Sequence, residues 1–192
     1  MAVILPVRIT VCGFAELAGE CDAGGISHVL SILDPGSPVP LEIGVFGASR
    51  RLELRFHDVI ENAPDMTPPS PEHVHRLLAF GRELITKEQG DLHLLIHCHA
   101  GFSRSPAALA LLLAQAQPSL AAAGIAEKIL RLRPTAWPNL RLIELGDEML
   151  ERRGEIVEAA AQIYRKRLAQ QPGLADMLIA NGRAREVEAA HG

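Results

Sequence analysis

Residues 97 to 106 read HCHAGFSRSP, which places a thiol, a guanidinium and a hydroxyl side by side in one short string. Cys98 closes the apolar run DLHLLIHC, and after a short glycine-containing loop the Ala- and Leu-rich SPAALALLLAQA continues as helix. A strand that turns this tightly into a helix points successive amide N–H groups inward, and the helix N-terminus adds partial positive charge. The result is an anion cradle about the size of a phosphate. Its members are His99, Ala100, Gly101, Phe102, Ser103 and Arg104. Gly101 supplies the backbone freedom such a loop needs. Arg104 closes it, because a planar guanidinium grips two oxygens at once and an ammonium does not. A cysteine on the floor of that cradle faces amide dipoles and a fixed cation, which favour thiolate over thiol and make it a nucleophile. His97 is placed to orient the loop from beneath, and Ser105 to donate to the sulfur when it becomes the leaving group.

These side chains need a frame. Val7 to Cys12 and Ile26 to Leu33 are short β-branched runs bounded by glycines and the turn segment DPGSPVP, and they predict strands with a short helix or loop between them. In RRLELRFHD, Leu52, Leu54 and Phe56 alternate with charged residues, the period of a strand with one wet face, and Asp58 sits at its exit. After a proline-rich linker, Val74, Leu77, Leu78, Gly81, Leu84 and Ile85 recur at helical spacing, with Ser70 as N-cap, Pro71 in the first turn and Gly90 at the end. DLHLLIHC reads as a central strand buried on both faces. Further helical patterns follow in LAAAGIAEKILRLR, NLRLIELGDEMLERR and EIVEAAAQIYRKRLAQ, and the stretch from Gln171 to Gly192, with its PG and NG pairs, reads as a loosely attached tail. The fold class is α/β, three-layered, with a central mostly parallel sheet flanked by helices. Residues 1–153 are expected to form the domain that holds the site, and 154–192 a C-terminal helical extension with the loose tail. In such sheets ligands gather at the carboxyl ends of the strands, where Cys98 lies.

Composition narrows the classes. At 192 residues, 48% hydrophobic and 22% charged, the chain has material for a real core. The net charge is −4 with scattered Lys and Arg, so the basic stripe of a nucleic-acid binder is missing. No run approaches the roughly 20 apolar residues that span a bilayer, and the start, MAVILPVRIT, has no basic n-region. Three widely spaced cysteines, Cys12, Cys21 and Cys98, fit a reducing compartment and a cytoplasmic protein. His93, His97 and His99 flank Cys98, yet strand alternation spreads adjacent residues over both faces and no carboxylate or second cysteine completes a shell; neither metal nor cofactor is expected.

The string HCHAGFSRS resembles the HCxxGxxR[ST] signature of the cysteine-dependent protein tyrosine and dual-specificity phosphatases. GISHVLSILD is similar to an early strand of the dual-specificity group, and RPTAWPN, residues 133–139, to the RPxxxPN segment these enzymes carry. The order LRFHDV, PPSPEHV, LLIHCHAGFSRS, RPTAWPNLRLI is most similar to a bacterial group of predicted tyrosine phosphatases, over roughly residues 5 to 150. The resemblance implies a metal-free, two-step hydrolysis of a phosphomonoester through a phosphocysteine on Cys98, with an Asp as proton donor and Asn139 bracing the loop. Two residues fit that Asp. Asp58 follows the LELRFH strand directly, and Asp65 lies in APDMTPPSP, which resembles the PDxxxP loop of other members.

The implied partner is a phosphorylated protein or a small phosphomonoester. The loop lacks the Lys pairs of phosphoinositide-directed relatives, which favours a singly phosphorylated substrate. Rival readings are a catalytically silent phosphate-binding pseudophosphatase and a rhodanese-like sulfur-transfer enzyme. Cys12 or Cys21 is placed in sequence as a candidate resolving thiol for Cys98.

Overall fold

The computed structural model describes residues 7–46, 50–86 and 92–192. Four strands, β1 (Val7–Cys12), β2 (His28–Leu33), β3 (Arg51–Arg55) and β4 (Leu92–His97), form one sheet in the order β1-β4-β2-β3. Every pairing is parallel, with Cys12 opposite His97 and Ser31 opposite His97 on the other side. All six residues of β4 are buried, as its unbroken apolar run requires of a central strand covered on both faces. The polar exceptions inside the sheet are paired: His93 meets the Thr10 hydroxyl at 2.9 Å and His97 meets that of Ser31 at 2.7 Å.

One face carries α1 (Phe14–Asp22) and the single-turn α2 (Leu41–Gly44), whose Leu17 and Ile43 pack with Cys12, Val29 and Leu95. The other face is larger. It holds α3 (Pro71–Thr86), α4 (Arg104–Ala116), α5 (Ala122–Leu132), α6 (Leu140–Met149) and α7 (Glu155–Gln170). α4 is buried continuously from Arg104 to Ala114, and its Ala/Leu composition, apolar all round, makes it the central helix of that layer. The three-layer α/β arrangement is thus present. The expected end of α3 at Gly90 lies outside the described residues. No helix among them is long and apolar enough to cross a membrane.

The stretch expected as a loose tail is instead seated. It forms α8 (Leu174–Ala180) and α9 (Ala184–Ala189), and Leu174, Leu178, Val187 and Ala190 join the core cluster that begins at Val7. PG and NG do break the chain, but only as turns between short helices. The apolar positions lie three and four apart, enough to bury one stripe on each. The remaining polarity misleads, because Arg183 and Glu186 are themselves buried, as an ion pair.

Candidate active site

Cys98 leaves the end of β4 and is buried; its Sγ lies 3.2 Å from the Ser105 hydroxyl in the first turn of α4. Between them the carbonyls of the loop are engaged outward, one after another. His99 O accepts from Phe14 N (2.8 Å), Ala100 O from Arg133 Nη2 (3.1 Å), Gly101 O from Arg133 Nε (3.1 Å) and Phe102 O from Trp137 N (2.8 Å). Ser103 O accepts from Ala107 N and Asn139 N. A peptide whose carbonyl faces out turns its N–H the other way. None of the amides of residues 99–104 donates to another group among the described residues. The five outward carbonyls, of residues 99–103, thus turn the N–H groups of residues 100–104 inward at the N-terminus of α4, a donor set suited to an oxyanion.

The loop keeps this shape because it rests on the turn after β1. Gly101 has φ of 65°, and a Cβ there would lie 2.6 Å from the Cys12 carbonyl carbon, so both conformation and space exclude a larger residue. Arg104 is buried, and its Nη1 donates to Asp34 Oδ1 (2.5 Å) and to Phe56 O (2.7 Å). Its Nε, also buried, has no hydrogen-bond partner among the described residues. A guanidinium anchored along one edge and unsatisfied on another is set to receive an anion, since a buried N–H without an acceptor is costly.

Asp58 joins the same group of residues. Its Oδ1 accepts from Ser103 Oγ (2.7 Å) and Asn139 Nδ2 (2.8 Å), and its Oδ2 lies 3.3 Å from Arg183 Nη1. Asn139 does three things at once. It caps α6 by accepting from Leu142 N, donates to Asp58, and gives its own N–H to Ser103 O. Asp65 is not brought in: it sits exposed on a turn with φ of 59°, with no hydrogen bond to the loop. His97 lies beneath the loop inside the sheet, and burial pushes its pKa down to about 4, so it is neutral there. Cys12 packs in the cluster of α1 and α2 while Cys98 belongs to the main core, so the two sulfurs occupy separate apolar regions. Burial, reinforced by Glu16 and Glu20, pushes the Cys12 thiol up to about 12. Among the described residues no group of three or more His, Cys, Asp or Glu side chains gathers to hold a metal ion.

Sequence reasoning missed Asp34, Arg133, Arg183 and Glu186. For Asp34 a signal existed, since an acid at the exit of β2 stands beside the exit of β4 in a parallel sheet. Arg183 and Glu186 carried none, because their neighbours in sequence are ordinary surface types. Glu186 is fully buried and accepts from Trp137 Nε1 (2.5 Å), Leu140 N (3.0 Å) and both Nε and Nη2 of Arg183. Burial pushes its carboxyl up and Arg183 pulls it back. Burial also opposes the charge of Arg183, but the bonds to Glu186 and the nearby Asp58 outweigh it and hold the guanidinium as a cation.

No family model matches the chain, and no curated protein matches its sequence. Solved structures do match. Human DUSP28 shares 16% identity over 78% of this chain and 94% of its own, with a TM-score of 0.55. The Yvh1 phosphatase domain from Chaetomium thermophilum shares 19% over 75% and 90% (TM-score 0.51), and the active form of Tk-PTP shares 22% over 76% and 92% (TM-score 0.51). The fold is that of the dual-specificity and protein tyrosine phosphatases.

Proposed function

We propose that the protein is a phosphomonoester hydrolase of the protein tyrosine and dual-specificity phosphatase type, acting through a phosphocysteine on Cys98. The observation that carries this reading is the loop itself, whose carbonyls are tied outward while its amides and the Arg104 Nε are left unengaged around one sulfur. In the first step the Cys98 thiolate attacks phosphorus and the bond to the leaving oxygen breaks. The amides of residues 99–104 and Arg104 hold the equatorial oxygens as charge redistributes over them. Asp58 gives its proton to the leaving oxygen. Because Oδ1 already accepts two hydrogen bonds, the proton is carried on Oδ2. In the second step water attacks the phosphocysteine, Asp58 takes its proton, the S–P bond breaks and inorganic phosphate leaves. Ser105, 3.2 Å from the sulfur, donates to the departing thiolate.

The substrate class is a singly phosphorylated protein or small phosphomonoester. Asp58 is assigned the proton transfer over Asp65 because only Asp58 touches the loop. Hydrolysis of 4-nitrophenyl phosphate in EDTA tests the reading. Wild type releases phosphate, Cys98→Ser loses at least about 10³-fold, Asp58→Ala loses about 10² or more, and Asp65→Ala stays within about 3-fold. Equal turnover by wild type and Cys98→Ser removes the nucleophile and with it the mechanism.

A further inference from the structure

In the ion pair Arg183–Glu186 the fork of Arg183 meets both carboxylate oxygens of Glu186, at 2.6 and 2.8 Å. That contact uses two of the five N–H groups of the guanidinium, and Arg183 reaches further with the others. The Nη2 that serves Glu186 also donates to Ser103 Oγ (2.8 Å), and Nη1 stands 3.3 Å from Asp58 Oδ2. Ser103 completes the ring by donating to Asp58 Oδ1. A second bridge runs alongside, since Arg185 donates to Glu61 at 2.9 Å and also pairs with Glu144 of α6. The segment that follows β3 and carries Asp58 is thereby gripped at two points by residues flanking or within α9. Stability alone is a weak reason for burying such a pair, because well-packed apolar replacements of buried ion pairs are often as stable.

Glu186 explains why the grip is firm. It is fixed by the Trp137 indole and the first amide of α6, and Trp137 in turn holds Phe102 O of the loop. Arg183 is therefore mounted on the element that shapes the cradle. Arg183 and Asp58 also line an open cleft of about 470 Å³ with Phe102, Met177, Leu178 and Asn181, so α8 walls the cleft that Asp58 borders.

We propose that Arg183 is a positioning residue for Asp58, holding the carboxyl over the loop and stabilising the carboxylate that forms at Oδ2 as its proton moves to the leaving oxygen. This rests on the hydrolase reading above. Its distinguishing consequence is dependence on the leaving group. A leaving group that needs a proton should miss Arg183, and one that departs as a stable anion should not.

The experiment compares phenyl phosphate with 2,4-dinitrophenyl phosphate on the full chain in EDTA. Arg183→Met is expected to lose about 10- to 100-fold in kcat on phenyl phosphate and less than about 3-fold on the dinitrophenyl ester, with KM little changed. In an Asp58→Asn background the same change should cost less than about 2-fold more, because a group acting through Asp58 has nothing left to act on. Since Arg183→Met leaves Glu186 buried and unpaired, Arg183→Lys is measured beside it, with thermal midpoints for both. One ammonium can serve Glu186 but not Asp58 and Ser103 as well, so the folded Lys variant should show the same leaving-group pattern. Equal losses on the two esters, or losses that multiply in the double variant, overturn the proposal and leave the hydrolase reading standing. Wild type inactive on both esters overturns that reading, and this one with it.

Discussion

Two cysteines stand at the carboxyl ends of neighbouring parallel strands, each followed by a turn and a helix, and their surroundings are opposite. After Cys12, the N-terminus of α1 is already filled by the chain's own carboxylate: Glu16 Oε2 accepts from Gly13 N at 2.8 Å. After Cys98, the loop side chain that could do the same is turned away, since Ser103 donates to Asp58 and the amides face inward without a partner. One cysteine is held as a thiol by burial, with Glu16 and Glu20 adding to it, and its pKa is pushed up to about 12. The other lies by a helix terminus whose amides no side chain among the described residues caps. A single side chain sets both junctions, for Arg133 grips Glu16 with Nη1 (2.6 and 2.8 Å) and takes the carbonyls of Ala100 and Gly101 with its remaining nitrogens. Two strand ends of the same sheet thus differ in whether a side chain of the chain fills the helix terminus that follows.

The sharpest way to break this contrast is chemical. At pH 7 a thiol raised to about 12 has a thiolate fraction near 10⁻⁵, so iodoacetate should modify Cys98 at least about 10³ times faster than Cys12, as read by peptide mass spectrometry. Inorganic phosphate should protect Cys98. Alkylation of Cys98 no faster than that of free glutathione would show that the loop does nothing for its sulfur.

The next effect lies beneath the loop. His97 has its pKa lowered from 6.5 to about 4 by burial, so the unfolded chain binds its proton first as pH falls. Stability is full above about pH 6.5 and declines toward pH 4, by about 3 kcal/mol from this group alone. Urea midpoints between pH 4 and 7 should show that slope, and His97→Gln should flatten it. A third change joins the two junctions by force. Gly101→Ala puts a methyl group 2.6 Å from the Cys12 carbonyl carbon at a φ of 65°, and the displaced loop should cost about 10²-fold in kcat. The smallest effect is at the acid side. Glu16→Gln removes a half-exposed ion pair and should change stability by less than about 1 kcal/mol in a denaturant titration.

What was legible in the sequence follows the reach of its interactions. The loop is contiguous, so Cys98, Gly101, Arg104 and Ser105 stood together on the page, and β4 announced itself by an apolar run. The sheet and its helical layers follow from alternation and period. The string leaned to Asp58, at the strand exit, but kept Asp65 beside it, because only folding separates them. Asp34 is 70 residues from Arg104, and Arg183 is 80 from Ser103, distances over which no local pattern operates. The seating of α8 and α9 was hidden for a related reason. Charged residues satisfied by one another can be buried, while composition counts them as surface.

The distance between Ser103 and Arg183 also orders events during synthesis. A growing chain reaches Ser103 of the loop 80 residues before Arg183 is added, and at roughly 5 to 20 residues per second that interval is about 4 to 16 s. Throughout it the emerging polypeptide carries Asp58 and Cys98 ahead of Arg183, so the clamp on the carboxyl is the last part of the cluster to be added.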